Sequence, residues 1–322
     1  MFAVPLPEKE LIAQIRRSSR GRSGLVALGI GDDCAVLTPR FGHQVLVTTD
    51  FTLEGIHFRR EWHSPEVVGH RCLARGLSDI AAMGGEPSSV FLSLAVPKKL
   101  PQKWVDRFLK GLLSLARAFK VSLAGGDVAE SPGGILADII VVGMVPKGEA
   151  ILRSGAKPGD RIYVTGKLGG SATALQRLVA GKKVQPKDFP RHFHPMPRIA
   201  TGRFLRSRHL ASAMIDLSDG LSTDLAHICE ESGTGAELMA NAIPLARVGR
   251  HNAEVDLRNA LHGGEDYELL FTAPRNTTVP RRIIGVPVSL IGCMRRDQNI
   301  VLTDERGAGC ELRPRGWEHF RR

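Results

Sequence analysis

Carboxylates stand beside glycine, serine or threonine at the ends of apolar runs throughout this 322-residue chain. The segments are Gly29-Ile30-Gly31-Asp32-Asp33, Thr48-Thr49-Asp50, Ser78-Asp79, Gly125-Gly126-Asp127 and Asp216-Leu217-Ser218-Asp219-Gly220. One aspartate before glycine is ordinarily a turn residue or a helix cap. Several of them, after apolar strands or at helix starts, fit capping badly. If they converge, their mutual repulsion has to be offset. A hard divalent cation does this: Mg²⁺ takes oxygen ligands, keeps some water and bridges carboxylates to phosphate. Glycine turns add exposed backbone N–H groups, which also favour phosphate. A chain of net charge +11 that concentrates its acids at glycine turns is therefore expected to hold a magnesium–phosphate site.

Two familiar phosphate motifs are excluded. Gly29-Ile30-Gly31-Asp32-Asp33-Cys34 lacks the third glycine of a dinucleotide fingerprint, and its aspartates would repel pyrophosphate. Gly166-Lys167-Leu168-Gly169-Gly170-Ser171 has a Gly-Lys pair but not the Walker A spacing. His57 follows Asp50 at the expected end of a strand. It is either a structural histidine held there by a hydrogen bond or a phosphate contact, and the second reading is preferred. His192 and His194 fall in a proline-rich stretch with no third ligand nearby, so solvated side chains are expected there rather than metal ligands.

The elements that must position these residues follow from periodicity. Expected strands are Ala27–Ile30, Cys34–Leu37, Val45–Thr49, Val90–Val96, Val121–Ala124 and Ile135–Val145, the last two around a Gly125-Gly126-Asp127 turn. Expected helices are Glu8–Arg17, Val67–Met83 and Gln102–Phe119. On the last, Trp104, Phe108, Leu112, Leu115 and Phe119 step by four, four, three and four, one apolar stripe for core packing. This first half alternates strands and helices, as an α/β or α+β domain does. Pro146–Asp160 is loop-rich, and the domain boundary is placed near its start. Beyond it lie strand Arg161–Thr165, helix Gly170–Ala180, an exposed loop Gly181–Pro197, helix Arg198–Arg208, strand Ala213–Leu217 and helix Leu221–Glu231. Tyr267–Thr272 and Val286–Ile291 are late strands.

Length favours two domains. No apolar run is long enough to span a bilayer, and the first residues lack the pattern of a signal peptide. Five cysteines without metal-ligand spacing point to reduced thiols and a cytoplasmic setting. The basic residues are scattered and aromatics make up 5 %, so neither a nucleic-acid nor a membrane partner is expected.

Taken together and in order, the acidic segments resemble the thiamine-monophosphate kinase family, in the superfamily of aminoimidazole ribonucleotide synthetase and selenophosphate synthetase. Further matching segments are Glu54-Gly55-Ile56-His57-Phe58, Arg153-Ser154-Gly155-Ala156-Lys157-Pro158-Gly159-Asp160, Gly263-Gly264-Glu265-Asp266-Tyr267-Glu268-Leu269 and Gly316-Trp317-Glu318-His319-Phe320. They span nearly the whole chain. The resemblance implies a two-domain α/β (α+β) synthetase-superfamily fold. Residues 1–147 would form the ATP- and Mg-binding domain, whose sheet pairs with its twin in a homodimer, and 148–322 the C-terminal α/β domain.

It also implies a reaction, ATP plus thiamine phosphate giving ADP plus thiamine diphosphate, with several Mg²⁺ ions. Asp33, Thr48, Thr49, Asp50, Asp79, Asp127, Asp216 and Asp219 match the family's metal ligands. Gly126, Asp127, Arg153 and Ser218 match ATP contacts; His57, Glu265 and Trp317 match positions at thiamine phosphate. The acceptor is a phosphate monoester with a second pKa of about 6, already mostly a dianion near neutral pH, so no general base is expected. Two departures appear: His194 stands where an arginine is expected, and no aromatic adenine contact is evident on the Trp104–Phe119 helix. A purine-pathway ligase of the same superfamily is the enzyme alternative. A catalytically silent nucleotide- or RNA-binding protein is the other, and the intact acidic set argues against it.

Overall fold

The structure is a computed structural model that describes residues 6–18, 25–30 and 34–317. It forms two compact units. One takes the described residues up to Ile80 together with Gly85–Gly148, and the other takes Ala81–Gly84 and the described residues from Glu149 onward.

In the first unit the order is α1 (Glu8–Ser18), β1 (Val26–Leu28), β2 (Val36–Leu37), β3 (His43–Leu53), α2 (Pro65–Ala82), β4 (Glu86–Pro97), α3 (Gln102–Ala118), β5 (Ser122–Ser131) and β6 (Leu136–Pro146). Four strands make one sheet in the order β3-β6-β4-β5. β6 is antiparallel to both neighbours, and β4 pairs with β5 in parallel, with α3 as the crossover. The core is built from Leu73, Leu77 and Ile80 of α2, Phe108 and Leu112 of α3, and Val90, Ile139 and Val141 of the sheet. Trp104 stacks between Phe58 and Phe108, so the α3 stripe is packing, as its spacing implies.

Several strands run beyond their expected boundaries, and two of these departures bear on the acidic residues. β3 does not stop at Thr49; it pairs with β6 without a break from His43 to Leu53, so Asp50 lies inside a strand opposite Ile139. Polar residues are tolerated there because partners on α2 and β6 satisfy them. Gly125-Gly126-Asp127 is likewise not a turn but part of β5, where a register shift at Ala124 marks a bulge. Gly126 has φ +144°, and a Cβ there would lie 1.9 Å from the Leu92 carbonyl oxygen. Close backbone approach explains the glycine pair in a strand.

The second unit contains β7 (Arg161–Thr165), α4 (Gly170–Val179), α5 (Pro190–Phe193), α6 (Ile199–Ser207), β8 (Ala213–Asp216), α7 (Leu221–Ser232), β9 (Gly235–Met239), β10 (Arg247–Val248), β11 (Ala253–Glu254) and α8 (Leu257–His262). β12 (Leu269–Ala273), β13 (Arg282–Ile283), β14 (Val286–Arg295), β15 (Ile300–Thr303) and β16 (Gly309–Glu311) follow. The main sheet runs β16-β15-β9-β14-β7-β12-β8, with β13 on β14. Its pairs are antiparallel except β9 with β15. One apolar cluster joins Ile162 and Val164 to Leu225, Ile228, Leu238 and Leu270. The segment 181–197 is the expected exposed loop only as far as Asp188. Phe189, His192 and Phe193 are buried, and α5 forms within it.

Helices α2 and α3 meet through glycines. A Cβ at Gly69 would lie 2.0 Å from the Phe108 carbonyl oxygen, and one at Gly111 would lie 2.0 Å from that of Glu66. Gly69→Ala must push the helices apart and should lower the unfolding free energy by about 1–3 kcal/mol in urea titrations. A loss below about 0.5 kcal/mol, the scale of a neutral surface change, would mean that the contact yields freely.

Candidate active site

Strand alternation decides how the acids of the first unit are arranged. Thr48 and Asp50 face α2. Thr48 Oγ1 donates to Asp79 Oδ2 at 2.5 Å, and Arg75 Nε lies 3.0 Å from Asp50 Oδ2. Thr49 points to the other face and donates to Asp138 Oδ1 at 2.7 Å. Ser93 stands opposite both Asp127 on β5 and Asp138 on β6, which puts these two carboxylates on that same face. The expected single cluster is therefore split between two faces of one sheet. Among the described residues no group of three or more His, Cys, Asp or Glu gathers closely enough to hold a metal ion by itself. Asp33 lies outside the described residues. Asp138 was missed by sequence reasoning; its signal is a lone charge inside the apolar run Ile135–Val145.

A cavity of about 820 Å³ opens beside Gly125, Gly126 and Asp127, with Ile12, Ile30 and Phe91 in its apolar wall. His57 sits in the turn after β3, not at a strand end. Its Nδ1 accepts from the Leu53 N–H at 3.0 Å, and its carbonyl accepts from Arg71 at 3.3 Å. The structural role weighed for this histidine is thus real for Nδ1.

In the second unit three segments close on one turn. β8 ends at Asp216, buried opposite Leu269, and Ser218-Asp219-Gly220 leads into α7. Glu265 N–H donates to the Ser218 carbonyl at 2.8 Å, and Tyr267 N–H to that of Leu217 at 2.9 Å. On the other side Trp317 N–H donates to the Asp219 carbonyl at 3.2 Å. Glycines permit the approach: a Cβ at Gly264 would lie 2.4 Å from the Ser218 oxygen, and one at Gly316 would lie 2.2 Å from the Asp219 oxygen. Ser218, Asp219, Glu265 and Trp317 are thereby brought together. Trp317 is 54 % exposed, so it does not plug the core. Arg153 is exposed on the loop before β7, where its carbonyl accepts from Ser232 Oγ at 3.1 Å.

Further carboxylates hold this arrangement, and sequence reasoning assigned them no role. Asp224 is buried on the first turn of α7 and accepts from the N–H groups of Asp219 and Gly220 at 3.2 and 3.0 Å. Burial, and then the charges of Asp216 and Asp219, push its pKa well above the usual carboxylate range. A side-chain acid reaching back to the helix start is a capping signal, and Gly220 to Asp224 carries it one residue late.

Asp266 is buried and accepts from the Gly169 N–H at 2.7 Å and the Ser171 N–H at 3.5 Å, at the start of α4. An internal carboxylate thus occupies the place that a phosphate would take beyond Gly166-Lys167. Glu268, fully buried, is bracketed by Arg198, whose Nε donates at 2.6 Å, and by Arg191 at 2.9 Å; Thr165 Oγ1 adds a third donor at 2.7 Å. Burial raises its pKa, and Arg198 opposes the rise. His192, expected in solvent, is buried and shares a 3.0 Å hydrogen bond with Ser171 Oγ, while His194 is exposed.

Comparison with known proteins agrees with this architecture. The model for AIR synthase related protein, N-terminal domain, matches residues 31–145, and that for the C-terminal domain matches 157–279. The fold is that of an AIR-synthase-related protein. Thiamine-monophosphate kinase of Escherichia coli K12 is 39 % identical over 97 % of this chain and 98 % of its own. A crystal structure of thiamine-monophosphate kinase from Stenotrophomonas maltophilia K279a aligns with TM-score 0.79 at 33 % identity, covering 94 % of this chain and 98 % of that one. "AaThiL complexed with AMPPCP and TMP" aligns with TM-score 0.77 at 30 % identity, covering 98 % and 99 %. The chain belongs to the thiamine-monophosphate kinase family.

Burial pushes the Asp266 carboxyl up to about 7, against 3.8 for a free side chain, and its two backbone donors only partly oppose this. Between those values the folded protein holds a proton that the unfolded chain has lost. The stability this group contributes is therefore full below the lower value and is lost as pH rises through the upper one. Asp266→Asn cannot ionise. Its unfolding free energy should improve relative to the parent as pH rises from about 5 to about 8. Urea titrations at both ends check this, and a pH-independent difference would show that Asp266 stays charged throughout.

Proposed function

We propose that this chain transfers the γ-phosphoryl group of ATP directly to thiamine phosphate, giving thiamine diphosphate and ADP. The observation that carries this reading is the 39 % identity, over almost the full length of both chains, to an enzyme named for that activity. A structural relative bound to AMPPCP and TMP supports it.

The acceptor is already an anion, so the task is to bring two highly charged phosphates together; positioning and charge neutralisation dominate such transfers. The donor chemistry fits Mg²⁺. Thr48, Thr49, Asp50, Asp79 and Asp127 offer only hard oxygens, and Thr48 Oγ1 and Asp79 Oδ2 already lie 2.5 Å apart. Asp33, Asp216 and Asp219 complete the set by family match. Mg²⁺ held by these groups would neutralise charge between the phosphate chains. Arg75 meanwhile holds the Asp50 carboxylate in place from one side.

The cavity beside Gly126 and Asp127 is of small-molecule size and apolar-walled, and it takes the nucleoside end of ATP. Arg153 gives a planar, fixed charge for the phosphates, and Ser218 a hydroxyl donor. The exposed Trp317 face suits a cationic thiazolium ring. Glu265 suits the amino group of the pyrimidine. His57 binds the acceptor phosphate rather than taking a proton.

Residues 1–147 carry the ATP–Mg and dimerisation roles and 148–322 the remainder. Val45, Val47 and Phe51 are exposed along one face of edge strand β3, an apolar stripe suited to pairing with a second copy. No described helix is long and apolar enough to cross a membrane. We place the enzyme in the cytoplasm.

The deciding assay supplies ATP, Mg²⁺ and thiamine phosphate and detects thiamine diphosphate. EDTA should abolish the product and excess Mg²⁺ restore it; turnover in a metal-free preparation would refute the magnesium role. His57→Asn, which keeps a hydrogen-bond donor, should retain most of kcat and raise KM for thiamine phosphate. A fall in kcat of about a hundredfold, the scale of losing a general base, would make His57 a proton acceptor instead. Sedimentation should give twice the 35.0 kDa chain mass, and Val47→Asp should return it to that mass. A parent protein that sediments as a monomer would overturn the pairing.

A further inference from the structure

Glu265 and Tyr267 both have left-handed backbones, at φ +64° and +49°, and neither is glycine. Such conformations cost roughly 1–2 kcal/mol per residue and persist only where neighbours over-determine them. The residue between them is Asp266, whose buried carboxylate is fixed on the N–H groups of Gly169 and Ser171. The backbone on either side is pinned as well, by Glu265 N–H on the Ser218 carbonyl and Tyr267 N–H on that of Leu217. Gly264 lies too close to Ser218 to carry a side chain. Past Tyr267, Glu268 is locked between Arg198 and Arg191.

We propose that Asp266 is a positioning residue: by plugging the start of α4 it forces the alternating left-handed backbone that presents Glu265 beside Ser218 for recognition of thiamine phosphate. This rests on the reading that Glu265 contacts that substrate. The contribution of Asp266 passes through the backbone, so its removal lets Glu265 relax out of the left-handed region. Glu268 anchors the far end of the segment, but replacing it would leave two guanidiniums facing a lost charge. Asp266 is therefore the cleaner position to test.

The experiment is a double-mutant cycle on Asp266→Ala and Glu265→Ala, measuring kcat, KM for each substrate and thermal midpoint. Glu265→Ala should raise KM for thiamine phosphate by about tenfold, a loss near 1.4 kcal/mol, with KM for ATP unchanged. Asp266→Ala should raise the same KM to a similar degree and again spare ATP. The double mutant should be no worse than Glu265→Ala alone. Asp266→Asn, which keeps an acceptor for the Gly169 N–H, should recover most of the parental KM.

Multiplying effects in the double mutant, or equal shifts in both substrates' KM, would make Asp266 a mere structural cap and overturn the proposal. If Glu265→Ala leaves KM for thiamine phosphate unchanged, the substrate reading of Glu265 fails and the proposal falls with it. If Glu265→Ala raises that KM and Asp266→Ala does not, the positioning role alone is overturned. Should Asp266→Ala fail to fold, Asp266→Glu replaces it in the cycle. It keeps the carboxyl group but its extra methylene shifts the segment, so KM for thiamine phosphate should rise alone. Unchanged KM for both substrates in that variant overturns the proposal.

Discussion

Glu268 is fully buried, and two guanidiniums and a threonine hydroxyl close on its carboxylate. Taking one charge out of water costs several kcal/mol, and removing a partner from a buried pair typically costs about 3–5 kcal/mol. The pairing is therefore compulsory once the residue is inside. It draws together the end of β7 at Thr165, the head of α6 at Arg198 and the short α5 at Arg191. It also dictates Gly166, where a Cβ would lie 2.0 Å from the carboxylate. From Phe189 onward the proline-rich stretch leaves solvent, because Arg191 and the buried Phe189 and Phe193 hold it down.

The same constraint sorts the other acids. Asp266 and Asp224 are buried and spend their oxygens on backbone N–H groups, so they build the site without being available to a ligand. Asp127 is exposed, with one oxygen on the Val128 N–H, and Asp219 is half-buried at its turn. Asp266 and Asp224 thus hold the backbone of the loops, whereas Asp127 and Asp219 keep part of their surface in solvent. Asp50 lies between these cases, a half-buried carboxylate whose neighbour Arg75 supplies the opposite charge.

Much of this was legible in the sequence where a local signal coincided with a global one. The α3 stripe and the β8–α7 passage through Ser218-Asp219-Gly220 behave as their patterns imply. Two things were not legible. A glycine pair reads as a turn unless the strand that crowds it is known, and Leu92 lies far from Gly126 in sequence. Three consecutive residues at 48–50 read as one ligand set, yet a strand that continues must send Thr49 to the opposite face from its neighbours. The convergence of 216–220, 263–267 and 316–317 on one turn was legible only as a family pattern, because its physical cause is glycine-permitted contact between distant segments.

The order of the larger sheet also bears on how this protein is made. β7 lies between β12 and β14, and Thr165 and Leu269 are bonded across 104 residues of chain. At about 5–20 residues per second, the emerging Ile162-Tyr163-Val164 waits on the order of 5–20 seconds for β12 and longer for β14. The first unit has no such delay, since all four strands of its sheet lie between His43 and Pro146. Slow translation thus favours folding of the first half, while the second half exposes an apolar strand with both edges open. An apolar strand with unpaired edges invites wrong pairing until its partners emerge.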